Sequence, residues 1–139
     1  AQLLFAYGEA TVPKSTITLR KSYGGSHIVM GCKQLRADLN FAWPSSEIAV
    51  MGASGAVAVL CGKEAKAKKE AGEDVKAFLA EKEQEYTDKF ANPYQAAQYG
   101  YIDDVIEPRN TRFRICRGLA QLATKRQSLP AKKHGCMPM

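Results

Sequence analysis

The sequence predicts a domain of the α/β class, in which strands and helices alternate along the chain. An alternating run with β-branched residues predicts a strand from about Ser15 to Tyr23, and the pair Gly24-Gly25 follows it. From Ser26 to Leu35 the apolar residues recur at helical spacing, which predicts a short helix that begins at the glycines. A long amphipathic helix predicted over Glu73 to Phe90 completes the evidence for both element types.

The other predicted elements follow from periodicity and from breaker residues. Pro44 opens the turn between two buried strands, and Asn92 with Pro93 is a typical cap and first residue of a helix, which Gly100 would close. The remaining elements are a helix over 2–11, buried strands at 41–44 and 48–51, a helix or buried segment at 56–60, an exposed connector over 62–72, a strand at 101–106 and a last helix over 109–126 with an apolar line at Ile115, Leu119 and Leu122.

Length and composition limit the chain to one domain or part of one. The 139 residues are 45% hydrophobic, enough for one ordinary core. No signal-peptide pattern and no apolar run of membrane-spanning length is present, so we expect a soluble protein without a membrane span. A helix that begins at Gln2 without a capping residue suggests a piece of a longer protein. We expect a domain over 1–126 and a surface extension over 127–139.

The four cysteines indicate reduced thiols of an intracellular protein, because they form no CxxC pair. Cys32, Cys61 and Cys116 lie among apolar residues and are expected to behave as small hydrophobes. With only His27 and His134 as helpers, no metal site is expected. A nucleophile formed by Cys32 with His27 is conceivable, but no orienting carboxylate accompanies it.

The formal net charge of +6 comes largely from the last third of the chain. Nucleic-acid binding is one interpretation, and a solvated face or a docking surface for an acidic partner is the other. No aromatic platform accompanies the basic residues, so nucleic acid is not expected as a partner. The GxxG spacing at Gly52 and Gly55 is not followed by Lys-Ser or Lys-Thr, which excludes a Walker-type phosphate loop.

The corner at Gly24-Gly25 is the candidate site of chemistry. Glycine permits positive φ and close approach of another group, and the first amides of a helix have no partner within it. Such a corner can direct free N–H groups at an anion or a developing oxyanion. The alternative is a turn that needs glycine only for its shape, and these residues alone favour that alternative.

Several stretches in a constant order resemble one enzyme family over essentially the whole chain. These stretches are Ala10 to Lys14, Arg20 to Gly25, Trp43-Pro44 with Glu47 to Gly52, Phe90 to Pro93, Gly100 to Ile106, and Lys132 to Gly135. Through them the chain is similar to the C-terminal part of the carboxyltransferase subunit of biotin-dependent acyl-CoA carboxylases, which include propionyl-CoA carboxylase β chains, methylmalonyl-CoA decarboxylases and transcarboxylases.

The resemblance implies a crotonase-like fold, a spiral of ββα units, of which this chain would be the C-terminal half-subunit facing biotin. The amides of Gly25 and Ser26 would hold the ureido oxygen of carboxybiotin, and Gly24, His27 and Ile28 would bind substrate. The cofactor would act as its own base, so few catalytic side chains are needed. An acyl-CoA would be the substrate, and the N-terminal half of the carboxyltransferase would supply most of its site.

The resemblance further implies a biotin carboxyl carrier, a biotin carboxylase and other copies of the subunit as partners, in the cytoplasm or, in a eukaryote, the mitochondrial matrix. Relatives commonly have Ala-Tyr-Asp where this chain has Ser26-His27-Ile28. Position 28 lines the acyl end of the pocket in the family, and Asp is frequent there in enzymes that act on propionyl-CoA. Ile28 therefore leaves the identity of the acyl substrate undetermined. A decarboxylase α chain or transcarboxylase is the alternative within this chemistry, and a non-catalytic assembly module is the alternative outside it.

Overall fold

The computed structural model describes residues 2–129 and 131 and shows a mixed α/β fold. Two successive strand-strand-helix units form its centre. The first unit consists of β1 (Ser15–Thr18), β2 (Lys21–Tyr23) and α2 (Gly24–Val29), and the second of β3 (Leu39–Ala42), β4 (Glu47–Ala49) and α3 (Ala53–Leu60). The flanking elements are α1 (Gln2–Glu9), α4 (Gly62–Glu70), α5 (Val75–Phe90), α6 (Pro93–Gln98), β5 (Asp104–Val105) and α7 (Thr111–Gln121), with 3-10 turns at Lys33–Leu35 and Pro108–Asn110.

Corresponding strands of the two units pair in parallel, so the units stack on one another. One sheet has the strand order β1-β3-β5, and the other contains β2 and β4. Ser15 is opposite Leu39 in the first sheet, and Lys21 is opposite Glu47 in the second. Helix α2 packs against β2 of the smaller sheet and against α1, whereas α3 packs against α4 and α5.

The single strand predicted over Ser15 to Tyr23 is wrong, because the structure divides it between the two sheets. The Trp43 amide donates to the Thr18 carbonyl at 3.0 Å, and the Glu47 amide donates to the Arg20 carbonyl at 2.6 Å. Strand β1 therefore ends at Thr18, and Leu19 and Arg20 connect it to β2 in the other sheet. Both β1 and β2 have residues with strand propensity, so the alternation of residues along the sequence does not show that the chain passes from one sheet to another.

The core lies between the sheets and α6. Ala42, Ile48, Ala96 and Ile102 form one buried cluster. Asn40, also fully buried, ties the larger sheet together: its side-chain amide donates to the Gly31 carbonyl at 3.1 Å, and its backbone N–H donates to the Asp103 carboxylate at 2.8 Å. These polar contacts join segments that are distant in sequence.

Helix α6 has the boundaries that the capping residues predicted. The side-chain oxygen of Asn92 accepts from the Gln95 amide at 3.1 Å, and Pro93 occupies the first turn. Gly100 has φ +73°, the left-handed conformation that favours glycine after a helix. The predicted strand at 101–106 is confirmed only over β5, and the connector predicted over 62–72 is the exposed helix α4.

The last helix is shorter than predicted and packs through a different residue. Gly118 is its buried position, and a Cβ added there would lie 2.4 Å from Cδ1 of Leu39. Of the predicted apolar line, Ile115 and Leu122 are half-buried, whereas Leu119 is exposed. Helix α7 can approach the sheet closely because Gly118 has no side chain. The periodicity of apolar residues does not reveal such a contact.

The half-buried carboxylate of Asp38 joins the segment after α7 to the loop before β1. Asp38 accepts from the Lys14 backbone amide at 2.7 Å and from Nζ of Lys125 at 2.8 Å, and the same Nζ donates to the Val12 carbonyl at 3.1 Å. Burial by itself would raise the pKa of the Asp38 carboxyl, but these hydrogen bonds and charges outweigh it and lower the pKa.

The cysteines differ in their surroundings. Cys32 is fully buried, as expected of a small hydrophobe, and Cys61 is half-buried. The same expectation is wrong for Cys116, which is exposed on α7, because the side of that helix that carries it has no partner element in the described part of the chain. Cys136 and His134 lie outside the described residues. No helix within residues 2–129 has the length and apolar character needed to cross a membrane.

The long helix α5 forms nearly as predicted, over Val75–Phe90, but its apolar side is only half-buried. No residue of α5 is fully buried, and Phe90 at its end is exposed. Helix α3, which packs beside it, exposes Val59 at 75% and Leu60 at 71%. These two helices therefore present an uncovered apolar surface, larger than single scattered side chains would give.

Candidate functional site

The glycine corner joins β2 to α2, and its first glycine is required by the fold. Gly24 has φ +51°, and a Cβ added to it would lie 2.7 Å from the carbonyl oxygen of Val50. A side chain at this position would meet both backbone strain and a backbone atom. The interpretation of the corner as a turn that needs glycine for its shape therefore holds at Gly24.

The second glycine is different, because nothing in the described structure requires it. Gly25 is exposed, its φ is not in the left-handed region, and a Cβ added to it would meet no atom within 4 Å. The absence of a side chain leaves the first turn of α2 open to an approaching group. The steric requirement of the corner therefore falls on the first glycine and not on the second.

The amides of that first turn are available to a ligand. The N–H groups of Gly25 and Ser26 lie too early in α2 to have an acceptor within the helix, and Tyr23 at the cap position supplies no side-chain acceptor. The hydroxyl of Ser26 is already used, because it donates to the Tyr23 carbonyl at 2.6 Å. Two adjacent N–H groups, rather than a side chain, are what this corner offers to an anion.

A cleft of about 740 Å³ opens beside the corner, between α2 and β4 on one side and the helices α3, α5 and α6 on the other. Gly24, His27 and Ile28 contribute one wall, and Ile48 to Val50 contribute its floor. The opposite wall is rich in aromatic rings, from Tyr86, Phe90, Tyr99 and Tyr101. The cleft is thus mainly apolar with a few polar groups, as small-molecule sites commonly are.

The structure divides the predicted site residues into two groups. Gly24, His27 and Ile28 share the face of α2 that lines the cleft, as their spacing of three and four residues requires. Gly25 and Ser26 are exposed at the start of the helix and do not line the cleft. A ligand held by the amides of Gly25 and Ser26 would therefore lie at the N-terminal end of α2, at the edge of the cleft and not inside it.

A serine that the sequence reasoning missed contacts the cleft histidine. Oγ of Ser22, on β2, lies 2.8 Å from Nδ1 of His27. Burial lowers the pKa of His27, so its imidazole is neutral at pH 7. The nucleophile considered from sequence, Cys32 with His27, does not form, because Cys32 is fully buried and the histidine nitrogen is paired with Ser22.

A tyrosine and a glutamate hold the two strands below the corner together. The hydroxyl of Tyr23 on β2 donates to the carboxylate of Glu47 on β4. Burial and this bond raise the pKa of Tyr23 to about 12, so the phenol keeps its proton. Within the described residues, no group of three or more potential ligands is arranged to hold a metal ion.

Comparison with known proteins identifies the family. A family model for the carboxyl transferase domain matches residues 1–137. The chain belongs to this family. It is 53% identical over its whole length to the propionyl-CoA carboxylase beta chain of Saccharopolyspora erythraea, and covers 26% of that protein. It is 54% identical over 138 residues to the methylmalonyl-CoA carboxyltransferase 12S subunit of Propionibacterium freudenreichii, covering 99% of this chain and 26% of the relative.

A solved carboxyltransferase structure shows the same fold. The transcarboxylase 12S crystal structure, with methylmalonyl-coenzyme A and methylmalonic acid bound, matches 99% of the chain with a TM-score of 0.87 and 53% identity. This confirms the expected crotonase-like fold, in which the two stacked ββα units are the repeating element. The chain spans about a quarter of the length of the relatives it matches.

Proposed function

We propose that this chain is the C-terminal part of a carboxyltransferase subunit and forms the biotin side of an active site that moves a carboxyl group between carboxybiotin and an acyl-CoA. The observation that carries the proposal is the open first turn of α2. Gly25 has no steric need to be glycine within the described structure, and neither its amide nor that of Ser26 has an acceptor within the helix. The ureido oxygen of biotin fits this position, since it is an acceptor that becomes negatively charged.

The contribution of the chain to the reaction is electrostatic and steric. Biotin, when bound, would supply the carboxyl group and the nitrogen that accepts the proton. The amides of Gly25 and Ser26 would hold the negative charge at the ureido oxygen, and the fixed backbone of Gly24 would keep both amides in position. One preorganised donor of this kind typically changes the rate by ~10²–10³-fold. Gly24, His27 and Ile28 would bind the substrate from the cleft wall.

The rest of the site would come from other chains and from a further part of the subunit. The chain covers 26% of each relative, which leaves ample sequence for an N-terminal half that binds acyl-CoA. We propose residues 1–126 as the domain and 127–139 as its extension. A biotin carboxyl carrier, a biotin carboxylase and further copies of the subunit are the proposed partners, and the cytoplasm or mitochondrial matrix is the proposed location.

A decarboxylase α chain or a transcarboxylase would use the same corner with other partners. The uncovered apolar side of α3 and α5 favours a second role in assembly. A purely structural module would not need the open turn at Gly25, so assembly alone accounts for less of the structure than carboxyl transfer does.

The test is carboxyl transfer from malonyl-CoA or methylmalonyl-CoA to biotin by the complete subunit. Gly25→Val should lower the rate by ~10²–10³-fold, because its side chain obstructs the amides. Ser26→Ala should keep most of the rate, since the hydroxyl is occupied by the Tyr23 carbonyl. Acyl-CoA affinity, measured separately, should persist in both variants.

The chain without the rest of the subunit should show no transfer, because the acyl-CoA platform is missing. An active Gly25→Val subunit would return the corner to the role of a simple turn. A loss in Ser26→Ala as large as that in Gly25→Val would show that the hydroxyl takes part.

A further inference from the structure

The contact between Ser22 and His27 has a definite direction with respect to the cleft. His27 lines the cleft, whereas Ser22 does not. The serine contacts Nδ1 of the imidazole from the β2 side, at 2.8 Å. The arrangement is therefore unsuited to a serine nucleophile, because the hydroxyl lies behind the histidine rather than in front of a bound substrate.

The hydrogen-bonding capacity of the pair favours one tautomer of the histidine. A serine hydroxyl has one proton to donate, and Nδ1 is the acceptor found for it in the described structure. If Nδ1 carried the proton, the serine would only accept, and its own proton would lack a partner within the described residues. With Ser22 as the donor, the proton of the neutral imidazole is on Nε2.

We propose that Ser22 is a positioning residue that fixes the Nε2–H tautomer of His27, and that this N–H donates to a carbonyl or carboxylate oxygen of the acyl substrate in the cleft. The inference rests on the proposed function for the identity of the ligand. The apolar floor at Ile48 and the neighbouring Ile28 would contact the hydrocarbon part of the acyl group. His27 would thus add a polar contact to an otherwise largely apolar wall.

The tautomer can be measured directly on the imidazole nitrogens. Long-range ¹H–¹⁵N spectra of the complete subunit, labelled at histidine, should show Nε2 protonated and Nδ1 unprotonated for His27, with the signal assigned by its loss in His27→Gln. Ser22→Thr should retain this pattern because it keeps the hydroxyl. Ser22→Ala should lose the preference for one tautomer. A protonated Nδ1 in the unmodified protein would overturn the proposal.

The kinetic test separates binding from chemistry. His27→Phe should raise KM for the acyl-CoA by about 5- to 10-fold, the effect of one lost hydrogen bond, with a smaller change in kcat. His27→Gln should restore much of the loss because its amide offers a donor, and Ser22→Ala should raise KM by about 3-fold. Ser54→Ala is the matched control, an exposed serine outside the cleft, and should leave both constants unchanged.

The outcomes distinguish this inference from the proposed function. If the unmodified subunit transfers carboxyl groups but His27→Phe and Ser22→Ala have the KM of the unmodified protein, the inference is wrong and the function stands. If the unmodified subunit transfers none, the function fails, and the nitrogen spectra still decide the tautomer. Ser22→Ala that fails to fold would contradict a purely orienting serine, and the His27→Phe and His27→Gln pair would then decide the role of the histidine.

Discussion

The two adjacent glycines should respond to the same substitution with opposite signs. Gly24→Ala places a side chain at φ +51° and puts its Cβ 2.7 Å from the Val50 carbonyl oxygen. The left-handed conformation costs about 1–2 kcal/mol for a residue with a Cβ, and the backbone contact adds to this cost. Gly25→Ala meets no atom within 4 Å and replaces a glycine inside a helix, which stabilises by about 0.5–1 kcal/mol.

The assay is urea unfolding followed by the fluorescence of Trp43, the single tryptophan of the chain, whose indole N–H donates to Thr111 at 2.9 Å. With a urea dependence of about 1–3 kcal/mol per M, the midpoint should fall by about 1 M in Gly24→Ala and rise slightly in Gly25→Ala. All variants are compared at one protein concentration. A loss of stability in Gly25→Ala as large as that in Gly24→Ala would refute the reasoning that only the first glycine serves the fold.

Two further predictions concern the contacts of Asp38 with Lys14 and Lys125 and the apolar surface of α3 and α5. The pKa of Asp38 is lowered in the folded protein, so the ionised carboxylate stabilises the fold at pH values above the ordinary aspartate pKa of about 4. This stabilisation is lost as the pH falls through the folded-state pKa. Asp38→Asn should therefore be less stable than the unmodified protein at pH 7, and the two stabilities should converge near pH 2. A constant difference between the two urea midpoints at pH 7 and pH 2 would contradict this. The chain should also self-associate through the apolar side of α3 and α5, and sedimentation of a pure monomer at ~50 μM would count against that surface as an interface.

Local chemistry determined which parts of the fold were visible in the sequence. The boundaries of α6 were predictable because Asn92 and Pro93 act on their own backbone neighbours. The glycine corner was predictable for the same reason. The division of the first strand was not, because it depends on where Trp43 and Glu47 pair across the sheets, and long-range pairing has no counterpart in periodicity.

The site was predictable only as a segment. The sequence placed the residues from Gly24 to Ile28 in one corner, and helical spacing explains why three of them line the cleft. It did not show that the steric requirement falls on Gly24 alone, since that depends on the Val50 carbonyl of another unit. Ser22 was missed because it reaches His27 only after the chain turns at the glycines.

The parallel pairing of every strand in the described structure has a consequence for synthesis of the chain. None of the sheet contacts is a hairpin, and Asn40 on β3 is bonded to Asp103, 63 residues further along. Pairing over such separations is slow, because loop closure precedes the contacts that stabilise it. During synthesis on the ribosome, one edge of β3 stays unpaired until β5 has been made. We therefore expect chains interrupted between these strands to depend on chaperones more than completed ones do.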